Sequence, residues 1–299
     1  MTGSAMHRAA LVPAASSDDL ATRPTPGGWL PSGLITLAVG LAANSIVGPL
    51  WLDLVDYPLT ETLRNQTVGL DAVTLFVVAP TALAASSLIR RGHPVGPILA
   101  VVAGTYTAYM FLQFVVGPDY DHYPGTLPLQ LGLFVLGWTT GWSGWRAAAH
   151  ADLPPMSRRT RTRHAIVAAS LAGFVVLRYL PGVAAALNSE SIPEESLGDP
   201  AMFWSILLMD VGIFVPLVAA TAIALRRGSA AGLRGLYAAV GWFVLVTLAV
   251  LTMAIVMVAN HDPNGAGAQV AVFALTAVAV LTYAVRLFHP LHHRRRENV

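Results

Sequence analysis

The sequence predicts an all-α fold, a polytopic transmembrane helix bundle of eight spans with both termini cytoplasmic. Three observations predict it. Charged residues make up only 11% of the 299, against about 25% in a typical soluble domain. Apolar residues reach 55% and mean hydropathy +0.60, spread along the chain rather than gathered into one anchor. Eight apolar runs are each long enough to cross about 30 Å of hydrocarbon at about 1.5 Å of rise per residue.

The runs fall at 29–51, 67–89, 95–116, 126–146, 164–187, 202–226, 235–259 and 267–288, and Pro181 and Gly182 interrupt the fifth. Breakers mark the connections: Gly92 to Pro94, Gly117–Pro118, Pro154–Pro155 and Pro263 to Gly265. No soluble domain fits between the spans. Residues 1–28 are rich in Ala, Ser, Pro and Asp and are expected to form a disordered cytoplasmic tail. Within them AALVPAASS lacks the apolar centre of a signal peptide, so no cleavage is expected. The domain plan is therefore a tail over 1–28, a transmembrane domain over 29–288 and a basic cytoplasmic tail over 289–299.

Composition removes several chemistries. There is no cysteine, which excludes disulfides, thiolate catalysis and Cys-ligated zinc or iron–sulfur centres. There is no lysine either, because all 18 basic residues are arginine, so no Schiff base can form. The His positions, such as His93, His164, His289, His122 and His261, lie at span boundaries rather than at the depth bis-histidine haem needs. HExxH, P-loop and GxSxG patterns are missing. The C-terminal HPLHHRRRENV lacks a carboxylate at metal-ligand spacing and reads as a basic tail against anionic lipid headgroups. No cofactor and no metal is expected, and a net charge of +2 gives no basis for nucleic-acid binding. The Arg/Ala/Pro-rich, lysine-free composition fits a bacterial origin.

Orientation follows from arginine placement. Alternation of the spans gathers Arg90, Arg91, Arg146, Arg158 to Arg163, Arg226, Arg227, Arg234, Arg286 and the two tails on one side, 16 of the 18 arginines. The other side carries Asp53, Asp56, Glu61, Asp119, Asp121, Glu190, Glu194, Glu195, Asp199 and Asp262, with Arg64 alone. The positive side is expected to be cytoplasmic, in a cell inner or plasma membrane. Trp138, Trp142 and Trp145 recur at i, i+4 and i+7 near that side of the fourth span, as an interfacial anchor belt or a stacking platform.

The polar residues inside the spans are the candidate site. Arg178 lies nine residues before Leu187, roughly 13 Å deep, and Asp210 eight residues after Met202, roughly 12 Å deep. Each charge costs about 2.5–3.5 kcal/mol at the bilayer centre, and a mutual ion pair reduces both costs. Asp71 opens the second span. Tyr106, Tyr109 and Gln113 share a face of the third by spacing, and Tyr179 follows Arg178. Together Asp71, Tyr106, Tyr109, Gln113, Arg178, Tyr179 and Asp210 are expected to line an outward-facing polar pocket. A structural ion pair that fixes helix packing is the alternative. Pro80 and Pro216 can kink the second and sixth spans beside these acids. Both elements run inward from an outer-side acid, a hint of a 4+4 parallel repeat, although their flanking residues do not match.

The stretches GLDAVTLFVVAPTALAASSLIRRG, LRYLP and MDVGIFVP resemble a family of bacterial multi-pass membrane proteins with no assigned activity. The likeness spans most of residues 35–260 and maps onto Asp71, Pro80, Arg178, Asp210 and Pro216. It implies a membrane bundle and no particular reaction. The functional expectation is a non-enzymatic integral membrane protein in the lipid bilayer, a small-solute or proton-coupled transporter with a small-molecule ligand. The alternatives are a structural or accessory subunit and an intramembrane lipid-modifying enzyme with Asp71 or Asp210 as base.

Overall fold

The computed structural model describes residues 28–55, 57–192 and 196–293, with side chains described to Leu291. The predicted tail over 1–27 lies outside the described residues, as do Asp56, Glu194 and Glu195 of the acidic face and Arg294 to Arg296. Eight long helices and no strand occur among the described residues. They are α1 (Leu30–Val47), α2 (Glu61–Arg90), α3 (Val95–Val116), α4 (Leu127–Ala147), α5 (Arg158–Leu187), α6 (Pro200–Arg226), α7 (Ala230–Ala259) and α8 (Gly267–His293).

Seven of them, all but α4, are long and apolar enough to cross a membrane. The eight-span expectation is thus met for seven helices. The helix α4 has 21 residues, but its glycines, tryptophans, threonines and Gln130 dilute its aliphatic content.

Several helices start ahead of their apolar runs because capping residues, not hydropathy, set the first turn. The Thr60 hydroxyl accepts from Leu63 N–H at 3.5 Å, opening α2 at Glu61 rather than at 67. Ser157 accepts from Thr160 N–H at 3.2 Å and Ser229 from Ala231 N–H at 3.2 Å, opening α5 and α7. At the other limit, α1 stops at Val47 ahead of Gly48–Pro49, short of 51. The helix α5 runs unbroken through Pro181 to Leu187, and α8 continues through Pro290 to His293, inside the predicted basic tail.

The helix α3 is the hub. In its most apolar stretch 67% of residues are buried, against 17% in α5, α6 and α8. It packs on α2, α4 and α7, while α1 lies on α2 and α4, and α5 lies on α6. The α3–α4 contact is the closest, and its cause is small residues. A Cβ on Gly104 would lie 2.5 Å from Gly141 N and 2.6 Å from the Gly137 carbonyl, so the backbones touch. Two apolar cores result: one among α1–α4 capped by Trp242, Leu245 and Ala249 of α7, the other among α5–α8 with Val95 and Ile98 of α3.

The two ends differ in charge. At one end the α7–α8 connection clamps the start of α2. Asp262 accepts from Thr62 Oγ1 at 3.0 Å and from Asn65 Nδ2 at 2.8 Å, and Asn260 Nδ2 donates to Asn65 Oδ1 at 2.7 Å. Asp199, before α6, accepts from Thr60 N–H at 3.1 Å, and Arg64 pairs with Asp53. At the opposite end the Arg161 guanidinium lies against Gly228 of the α6–α7 turn. There Arg234 also stands 5.0 Å over the Trp145 ring.

Candidate functional site

Both transmembrane acids sit where their helices depart from regular α geometry. A π segment spans Thr74–Val78 in α2 and another spans Leu208–Phe214 in α6. Ala79 N–H reaches back to the Thr74 carbonyl and Val215 N–H to the Asp210 carbonyl, both i to i−5. Pro80 and Pro216 follow each segment at the same spacing. Proline lacks an N–H and crowds the carbonyl four residues back, and a widened turn relieves that clash. Asp71 precedes its π segment by three residues, and Asp210 lies within its own.

Asp210 is the meeting point of three helices. Tyr109 of α3 donates to Oδ1 at 2.7 Å, and Tyr179 of α5 donates to Oδ2 at 2.7 Å. The expected Arg178–Asp210 ion pair is not formed, since no contact within 4.0 Å joins them. The two tyrosines occupy both carboxylate oxygens, and the neighbouring residues Arg178 and Tyr179 leave α5 in different directions. Tyr179 is buried against α6, while Arg178 is exposed, its guanidinium carbon 5.5 Å from the Tyr179 ring centre. The arginine thus reaches the acid through the aromatic ring that solvates it.

Toward the arginine-rich end, aromatic rings close the layer beneath Asp210. Phe214 stacks on Trp242 at 4.0 Å, Tyr109 meets Trp242 edge-on at 5.3 Å, and Phe243 meets Phe214 at 5.0 Å. Sequence reasoning missed Trp242 and Phe214, because aromatics inside an apolar run raise no contrast.

Asp71 belongs to a separate cluster. It is 3% exposed, and Ser45 of α1 donates to its Oδ1 at 3.3 Å. Tyr106 of α3 lies fully buried within reach of its charge. Gln130 of α4 donates to the Tyr57 hydroxyl at 3.2 Å in the α1–α2 connection. Burial pushes the Tyr57 phenol up, and the nearby Asp71 carboxylate adds to the rise. Tyr106 and Tyr109, expected on one face, lie near different acids: Tyr109 donates to Asp210, while Tyr106 is buried near Asp71 without bonding it. Three residues turn a helix by about 300°, and around the central α3 that offset changes the neighbour. Gln113 is buried on α3 and joins neither cluster. Six of the seven predicted residues therefore divide between two clusters rather than lining one pocket. An apolar hollow of about 220 Å³ lies elsewhere, among Val167, Leu171, Val240, Phe243, Val280 and Tyr283. Of the histidines, His164 contacts the Tyr283 hydroxyl through Nδ1 at 2.5 Å.

No family model matches the chain, and no curated protein or solved structure matches it either. The likeness to a bacterial family thus gains no family assignment. What stands is the class: an all-helical chain with seven helices suited to a lipid bilayer, a multi-pass membrane protein.

Proposed function

We propose that this chain is an eight-span plasma-membrane protein that moves a small anion together with protons, with Asp210 as the working carboxylate. The arrangement that carries the reading is the convergence of Tyr109 and Tyr179 on Asp210 inside a π segment. A carboxylate at membrane depth is costly to keep without a cation against it, and a widened helical turn is a common device at functional positions. Arg178, held over Tyr179, supplies the positive charge for an anionic group. The Phe214–Trp242 stack closes the layer on the arginine-rich side.

In this reading α4 is the eighth span. It carries no charge between Leu127 and Trp145 and is about 31 Å long at the usual rise. The arginine-rich end and both termini face a bacterial cytoplasm, where the basic tail meets anionic headgroups. The bound anion sits among Arg178, Tyr179, Asp210 and Tyr109, while Asp71, Tyr106 and Gln113 stand apart from it. Thermal unfolding of the purified protein in nanodiscs tests this: acetate, lactate or phosphate should raise Tm, and Arg178→Ala should abolish the rise. A wild-type protein indifferent to all three anions contradicts it.

One observation favours a second reading, the accessory subunit. Arg178 is exposed on α5, whose flank is among the least covered in the bundle. There an acidic side chain of a membrane partner would cover the guanidinium, and the protein would run as a larger assembly that Arg178→Ala dissociates.

A further inference from the structure

Seven buried side-chain nitrogen or oxygen atoms have no hydrogen-bond partner among the described residues, and four of them are Asn44 Oδ1, Asp71 Oδ2, Tyr106 OH and Gln130 Oε1. All four belong to the α1–α4 half. Ser45 ties α1 to Asp71, and Tyr57 accepts from Gln130 while sensing both Asp71 and the Asn44 amide. Three of the four atoms can only accept when Asp71 is ionised. A buried acceptor layer around a negative charge, short of donors, is strongly disfavoured.

Among the described residues no positive side chain pairs with this charge. Tyr57 and Tyr106 lie within its reach, with Tyr120 beyond them. The same segments also carry Asp53 (paired with Arg64), Tyr109 (bonded to Asp210) and the exposed Asp119, Asp121, His122 and Tyr123. The packed faces of α1, α4 and α7 supply none. Arg64, a charged residue seven positions earlier on α2, is exposed and paired with Asp53. The site is also tight: a Cβ on Gly48 would lie 2.7 Å from Asp71 Oδ2.

We propose that Asp71 is a proton-binding site, held as the neutral acid inside the α1–α4 half, with the proton on its otherwise unpartnered Oδ2. A proton supplies a donor and removes the charge without needing a cavity. Asp210 shows the opposite arrangement. Both of its oxygens accept short bonds from tyrosine hydroxyls at 2.7 Å, the solvation of an ionised carboxylate. Asp71 has one weak donor at 3.3 Å and an orphaned second oxygen. Two carboxyls in one bundle are thus given different hydrogen-bond surroundings, two tyrosine donors at Asp210 against one long serine contact at Asp71. The inference does not depend on transport.

Infrared spectroscopy of the full chain in lipid, with ¹³C-labelled aspartate at neutral pH, tests it. The wild type should show a protonated carboxyl stretch, which Asp71→Asn removes and Asp210→Asn keeps. Asp71→Asn should hold the wild-type Tm, and Tm should be equal in sodium and choline chloride. A wild-type spectrum with only ionised carboxylate bands overturns the proposal, independently of how the variants fold. So does a protonated band that survives Asp71→Asn. A sodium-specific rise in Tm that Asp71→Asn abolishes overturns it in favour of a sodium site.

Discussion

Asp210 shows how much a single side chain's surroundings decide. Tyr109 and Tyr179 each donate to it at 2.7 Å, and a hydrogen bond to a charged group contributes about 1.5–3 kcal/mol. Tyr109→Phe and Tyr179→Phe should each lower stability by about that amount, read as Tm in nanodiscs. Combined with Asp210→Asn, each should lose less than the sum of the singles, because the partner charge has gone. Additive losses would show that the hydroxyls do not serve the carboxylate. At this scale the sequence singled out Asp210 but paired it with Arg178 rather than with Tyr109 and Tyr179. Charge and depth singled out Asp71, Arg178 and Asp210, whereas the direction in which Arg178 and Tyr179 leave α5 depends on helix rotation that hydropathy does not encode.

The helices themselves were legible through two kinds of signal. Apolar runs located them, and Pro80 and Pro216 marked the departures from α geometry. The caps at Thr60, Ser157 and Ser229, which open α2, α5 and α7 ahead of their runs, were not read from the sequence. What the sequence could not distinguish was a kink from a π segment, since either relieves a proline clash. The small residues of α4 had no interpretation until Gly104 was seen against Gly137 and Gly141. Gly104→Leu should therefore be destabilising by about 1–3 kcal/mol or more, because backbone rather than a flexible side chain blocks the added atoms. A variant with unchanged Tm would contradict that contact.

The clamp between α2 and the α7–α8 connection predicts a pH dependence. Burial pushes the Asp262 carboxyl up, but hydrogen bonds from Asn65, the Asn264 backbone and Thr62 outweigh it and hold it below its ordinary 3.8. A depressed carboxyl stabilises the fold above its unfolded pKa and loses that contribution as pH falls through the folded value. Tm should thus be steady from neutral pH to about 4 on this account and drop below it, with a smaller drop in Asp262→Asn. Equal drops in both proteins would remove Asp262 from the explanation.

At the scale of the whole molecule, the segregation of charge between the two ends was visible in the sequence, and the connections meet accordingly at the Asp262 and Arg234 ends. The division into two apolar cores was not read from the sequence; the recurrence of an acid and a proline in α2 and α6 suggested only a 4+4 parallel repeat. The matching π segments give that recurrence a structural basis. Orientation in the membrane is open to direct test, because the chain has no native cysteine. Ile192→Cys should label from outside intact cells and Thr160→Cys should not. The reverse pattern would invert the topology.

The proposed role of Asp210 as a proton-coupled carboxylate is tested most directly by proton movement in proteoliposomes. With a pH-sensitive dye inside, an imposed lactate or phosphate gradient should drive proton uptake in the wild type, and Asp210→Asn should abolish it while the protein stays folded. Uptake undiminished by Asp210→Asn, or none in the wild type with either anion, would contradict it.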